Sequence, residues 1–314
     1  MLKFIFELLK KILPLFFKIA GTGYLIYYLG FKVNWPSFLA LLPQVNIVWL
    51  LLAIAGYLLK IFFETAKWFR LNKAFAIEIN FLKLYRYKII GPAFDLLTPV
   101  PQGEDVFKFY LLEKTSGNIG KAVIIPLFSK VMGLSGIMAL LPFTIFYFTE
   151  KLNLHFLQQL LFAGAVVVLP LLLLLYFFGN SLLKILYRYR FFAQNLPKLL
   201  QLLNVLKQSP LMVLQVFLLG FTAHVSFVFT LYALAATFNI FVPYWYWLVG
   251  LPLIYVSAMA PLTAGGIGQK EAVILWLLLQ QSVVLPVAQS VALLHLCMML
   301  GFVISGFILY FFEE

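Results

Sequence analysis

Runs of about 20 apolar residues recur along this chain, set apart by short basic, aromatic or Gly/Pro-rich stretches, and this pattern restricts the fold more than any motif does. Hydrocarbon offers no partner to a backbone N–H or C=O. Only helices, which bond within themselves, and closed barrels can therefore cross it. Apolar runs of this length fit helices. Just 11% of the residues are charged and 64% are hydrophobic, against about 25% charged in a soluble domain. The expectation is an all-α polytopic integral membrane protein of roughly seven or eight transmembrane helices, forming a single transmembrane domain over residues 1–314.

The spans read as Leu13 to Gly30, Asn46 to Thr65, Ala122 to Phe148, Gln159 to Phe178, Pro210 to Thr237, Tyr244 to Pro261 and Pro286 to Phe312. Tyr27, Tyr28 and the run Tyr244-Trp245-Tyr246-Trp247 suit aromatic belts at the interface. Net charge is +12, from 23 Lys+Arg against 11 Asp+Glu. The cations concentrate in residues 67–121 and 179–209, which the positive-inside rule places in the cytoplasm. The turns near Lys32, Lys151 and Phe241 then face outward. Lys3, Lys10 and Lys11 ahead of the first run read as an uncleaved signal anchor with a cytoplasmic N-terminus. Residues 179–209, with Leu and basic residues at helical spacing and a bend at Pro197, read as helix lying in the interface. Because the basic residues flank apolar spans, they suit anionic lipid and not nucleic acid.

The segment Gln269–Gln281 is too short to cross. It follows a Gly-rich turn and reads as half of a re-entrant hairpin. Irregular backbone at membrane depth needs protein or a wet cavity around it. One or two such broken-helix hairpins are expected, because two polar clusters share a plan. Gly91 to Lys108 and Pro261 to Glu271 each run from Pro through Gly to acid and base, then into helix, as two structural repeats facing a central site would. Helix starts after Gly-rich turns leave N–H groups unpaired, and with the helix dipole these suit an anion such as lipid phosphate. The plainer alternative is that Gly and Pro make tight turns and that Glu104 and Glu271 cap helices. Glu271 also has Lys270 beside it as an ion-pair partner. Lys60 and Glu64, four apart, share a helix face and can pair. Lys130 lies inside a span, where an ionisable group is a functional candidate.

Other chemistry is not legible. Cys297 is the one cysteine, so no internal disulfide forms, and His155, His224 and His295 are far apart and read as packed or interfacial. No Walker A motif, metal-ligand spacing or nucleophile elbow occurs, so neither a cofactor nor an ATPase is expected.

Four places in the chain resemble the flippase-like family of the lysylphosphatidylglycerol synthase transmembrane region. They are Lys67-Trp68-Phe69-Arg70, the Gly91 to Lys108 stretch, Ser129-Lys130-Val131-Met132-Gly133, and Pro261 to Glu271. The last matches the family's P-x-T-x-G-G-x-G-x-x-E closely. The second carries Gly103-Glu104-Asp105 and Lys108 where the pattern has Gly-Gly-Asp and Arg. The third has Ser and Lys in place of Glu and Arg, replacing a guanidinium fork with a point charge. The resemblance implies a stand-alone, ATP-independent lipid flippase or scramblase of a prokaryotic cytoplasmic membrane, not an enzyme. It would translocate an anionic phospholipid, aminoacyl-lipid or polyprenyl-phosphate sugar, with a separate lipid-modifying enzyme or glycosyltransferase as its expected partner. The residues it nominates for substrate are Arg70, Gly103, Glu104, Asp105, Lys108, Lys130, Thr263, Gly265, Gly266, Gly268, Lys270 and Glu271. The competing readings are an integral-membrane enzyme using Glu104, Asp105 and Glu271 as acid–base groups, or an accessory subunit.

Overall fold

The computed structural model describes residues 35–97, 103–152, 208–259, 263 and 266–312. All regular structure among them is helical. A short α1 (Trp35–Leu41) leads through one 3-10 turn into α2 (Ile47–Ala74). Then follow α3 (Phe81–Leu97), α4 (Gly103–Ser116), α5 (Ile119–Leu152), α6 (Pro210–Ala236), α7 (Tyr244–Met259), α8 (Gln269–Gln280) and α9 (Leu285–Phe311). Four are long and apolar enough to cross a membrane: α2, α5 over Ile119–Phe148, α6 and α9. The chain is thus an all-helical, polytopic membrane protein. These four begin and end close to the expected spans, except that α2 runs nine residues past Thr65, to Ala74. The expected first and fourth spans and the interfacial segment 179–207 lie outside the described residues.

The spans are apolar outside as well as inside. Phe143 and Phe146 on α5 are 64% and 68% exposed, and Leu51, Leu58 and Leu59 of α2 are exposed too. Such surfaces would drive aggregation in water and are stable against lipid tails.

Asparagines start three helices. The Asn46 side chain accepts the Val48 N–H (3.0 Å), that of Asn80 the Leu82 N–H (2.9 Å), and that of Asn118 the Lys121 N–H (3.1 Å). Each satisfies a donor that the first helical turn leaves free. Prolines sit inside α3 (Pro92), α5 (Pro126, Pro142) and α7 (Pro252), as membrane helices tolerate.

The chain divides into two compact units. The first comprises, among the described residues, 35–59, 86–107 and 226–312. Here the Asn46 N–H donates to the Thr237 carbonyl (2.9 Å), joining the start of α2 to the end of α6. Gly56 lets α2 approach Phe229 and Thr230 of α6, and Tyr57 packs on Phe302 of α9 (4.5 Å between centroids). Gly306 of α9 lies against the α3 backbone, where a Cβ would come within 2.5 Å of the Ile89 oxygen. The α7–α8 contact is made by Gly250 against Leu277 and by the Tyr246 hydroxyl, which donates to the Leu277 carbonyl (2.8 Å) in the last turn of α8. That bond satisfies a carbonyl the helix end cannot.

The second unit comprises, among the described residues, 60–85, 108–152 and 208–225. Lys60 and Glu64 pair at 3.3 Å, as their spacing suggests. Arg70 Nε donates to Gln215 Oε1 (3.0 Å), and Lys121 Nζ donates to the Phe75 carbonyl beyond the end of α2 (2.7 Å). His224 Nε2 lies 3.0 Å from the Gly133 carbonyl oxygen.

Candidate functional site

The Gly-rich turn ahead of α8 is built from backbone geometry that only glycine adopts easily. Gly266 has φ +70° and Gly268 has φ +84°. A Cβ on Gly266 would also lie 3.2 Å from that of Ala258 on α7. Thr263 donates its hydroxyl proton to Gln269 Oε1 (3.3 Å), and its carbonyl lies 3.5 Å from the Gly266 nitrogen. Gly265 lies outside the described residues. Glu271, the third residue of α8, folds back so that Oε2 accepts the Gly268 N–H at 2.6 Å, half of a capping box.

The other oxygen, Oε1, accepts from Nδ1 of His295 at 2.7 Å. Glu271 thus caps its helix, as one of the two readings of it had it, and a histidine of α9 holds its other oxygen. Lys270 stands half-exposed beside it and acts on it through its charge. His295 is completely buried, with the Phe227 ring 6.0 Å away, and Nε2 has no hydrogen-bond partner among the described residues. His295 is packed, as the sequence suggests, and in addition it bonds Glu271, which the sequence reading did not foresee. A signal was present, because a carboxylate in an apolar segment requires a partner, and His295 is the one basic side chain between Glu271 and the end of the chain.

His295 is the eleventh residue of α9, so the turn meets that helix about 15 Å from its start at Leu285. α7 has 16 residues and α8 has 12, or about 24 and 18 Å. Either is short of a hydrocarbon core of about 30 Å. The expected sixth crossing, Tyr244 to Pro261, is helix over Tyr244–Met259, and residues 260–261 lie outside the described residues.

The first cluster takes in α3, of 17 residues, and α4, of 14. Gly103 is buried at the head of α4, and Asp105 follows in its first turn. Glu104 lies against Gly91, where a Cβ would fall 2.5 Å from its Cγ. Its carboxylate accepts from Lys88 Nζ at 2.6 Å, and its N–H donates to Asp95 Oδ1 at 2.9 Å. Lys88 and Asp95 were not among the nominated residues, and no helical spacing links either to Glu104. The two acid clusters meet different elements, Glu104 turning back to α3 and Glu271 reaching forward to α9.

In the second unit, Lys108 Nζ lies 6.0 Å from the centre of the Trp68 ring, at the outer limit of a cation–π contact. Lys67 is buried, its ammonium 3.3 Å from where a Cβ on Gly133 would be and its Cδ 3.5 Å from one on Gly220. Those two glycines leave the space its stem occupies. The structure so brings Lys67-Trp68 together with Gly133 and with Lys108. Arg70 is turned to Gln215, and Lys130 is half-exposed one turn before Gly133.

No curated protein and no solved structure matches the chain. Residues 15–306 do match a family described as the lysylphosphatidylglycerol synthase TM region. The match takes in all four motif places and every helix from α1 to α8, and on it the chain belongs to the lysylphosphatidylglycerol synthase transmembrane-region family.

Proposed function

We propose that the chain is an ATP-independent lipid flippase or scramblase, and that the polar turns ahead of α4 and α8 handle an anionic, phosphate-bearing headgroup. The observation that carries this is family membership over residues 15–306. Three features support it. The α8 turn meets α9 about 15 Å from that helix's end, which suits a re-entrant tip near the midplane. The positive-φ glycines end at the start of α8, and a helix N-terminus suits an anion. Lys270, Lys108, Lys130 and Arg70 supply positive charge. An anionic lipid moved through the membrane field gains or loses about 2.3 kcal/mol per charge per 100 mV, so the potential is available as a drive. The setting is the cytoplasmic membrane of a prokaryote, with the N-terminus in the cytoplasm and a separate lipid-modifying enzyme or glycosyltransferase as partner.

The test is reconstitution into vesicles holding a fluorescent phosphatidylglycerol, with dithionite quenching of the outer leaflet. Protein-dependent loss of the protected fraction without ATP is expected, and Lys270→Ala and Lys108→Ala should each slow it while the protein folds normally. Absence of flipping would overturn the reading, and appearance of a modified lipid would replace it with an enzyme. Unchanged rates in both variants would remove these residues from the site.

A further inference from the structure

Trp68 and Asn72 stand about one turn apart on α2, in the second unit, and are 2% and 0% exposed. The indole Nε1 of Trp68 and both Nδ2 and Oδ1 of Asn72 have no hydrogen-bond partner among the described residues. An unpaired polar group in such a place has lost its water and gained nothing for it. Residues four apart are neighbours on a helix surface, and helical side chains lean toward the N-terminus. The Asn72 amide therefore leans over the turn that carries Trp68. The Asn72 carbonyl is satisfied, accepting the Phe75 N–H (3.1 Å) and the Ile77 N–H (2.9 Å). What remains is side-chain chemistry: a donor on each residue, and an acceptor on Asn72. Trp247 Nε1 and His295 Nε2 are also without partners among the described residues, but each is a single atom.

We propose that Trp68 and Asn72 bind ordered water between them, which accepts from the indole N–H and from Nδ2 of Asn72 and donates to Oδ1. A buried water needs about two to four polar partners, and these two side chains offer three. Lys108, whose Nζ lies 6.0 Å from the Trp68 ring centre, cannot serve the indole, because an ammonium only donates. A chloride ion could take the two N–H groups, but it would leave Oδ1 unpaired. Water serves all three atoms. The depth suits it as well. α2 has 28 residues, or about 42 Å, more than a hydrocarbon core of about 30 Å. Lys67, Arg70 and Lys73 mark its last turns as the end that leaves the core. Held in this way, the indole that Lys108 overlies is fixed in its plane.

The experiment exposes the full chain in detergent micelles to a brief X-ray pulse and reads the oxidation of each tryptophan by mass spectrometry. Hydroxyl radicals form from water and react close to where they form, so a residue this buried is oxidised only by water bound beside it. Trp68 should be oxidised, while Trp247, 0% exposed and with a lone N–H, should not be. Asn72→Leu, close in volume, should abolish oxidation of Trp68 without raising the melting temperature. Trp68 oxidised no more than Trp247, or equally in Asn72→Leu, overturns the water site. A melting temperature above wild type in Asn72→Leu also overturns it, because removing polar atoms that were merely unpaired relieves their cost. Replacing chloride by gluconate should leave the melting temperature unchanged, and a fall would give the site to a halide instead. If Asn72→Leu does not fold, the wild-type contrast between Trp68 and Trp247 decides alone.

Discussion

Helix α9 bonds Glu271 through His295 and packs on α3 at Gly306, and two glycines on it provide an internally controlled test of how it packs. His295 and Gly306 are eleven residues apart, within about 20° of the same face. At Gly306 an added Cβ would lie 2.5 Å from the Ile89 carbonyl oxygen and 3.2 Å from the Ile90 Cα. Both are backbone atoms, so no rotamer change relieves the clash. The oxygen is about 0.9 Å inside ordinary contact at 3.4 Å, and α9 must withdraw from α3 by most of that. Overpacking of this kind costs about 1–3 kcal/mol. At Gly301 nothing lies within 4 Å of an added Cβ, and alanine should gain up to about 1 kcal/mol of helix propensity. Helix propensity favours alanine at both positions, so unfolding free energies of Gly306→Ala and Gly301→Ala, measured by SDS titration in mixed micelles, should differ by the overpacking cost of about 1–3 kcal/mol, with Gly306→Ala the weaker. Equal stabilities, or Gly306→Ala above Gly301→Ala, would refute the close α3–α9 contact.

Gly266→Ala places a side chain at φ +70° and 3.2 Å from Ala258. It should lose about 1–2 kcal/mol of stability and abolish flipping in protein that still inserts and purifies, whereas parallel loss of both quantities would make the turn structural only. Glu271→Gln keeps shape but weakens the hold on His295 and the Gly268 amide, so flipping in vesicles should fall more than the melting temperature does. Glu104→Gln leaves Lys88, whose side chain is 9% exposed, without its charge partner. It should cost about 2–3 kcal/mol, and Lys88→Met with Glu104→Gln should recover part of that in a double-mutant cycle; strict additivity would rule the pair out. In a Cys297→Ser background, a cysteine at Lys114 should react with impermeant thiol reagents only from the cytoplasmic side, and strong labelling from outside would invert the topology.

The spans were legible because hydropathy and length act locally. The ends of α5, α6, α8 and α9 lie within a few residues of where apolar runs begin and end, and Lys60–Glu64 followed from helical spacing alone. The continuation of α2 through Lys67, Arg70 and Lys73 was not, because a basic stretch reads equally well as loop or as helix leaving the membrane. The site was legible in residue type and not in pairing. Gly266, Gly268 and Glu271 mark their own turn, but the partners of the carboxylates sit 16 and 24 residues away, at Lys88 and His295. Such contacts depend on helix packing, which no periodicity records. Gly133 is similar: in the sequence it is part of a family motif, while its place in the fold is to make room for Lys67.

The double engagement of Glu271 also fixes an order of assembly. When α8 leaves the ribosome, its carboxylate can reach the Gly268 amide at once, but the histidine it needs lies 24 residues further along. An acidic side chain without a partner is costly inside a membrane. α8 is also too short to hold itself across the bilayer. Only residues 281–284 separate it from α9. The insertion machinery therefore receives these two helices as one object, a hairpin that enters the lipid with its acid already matched.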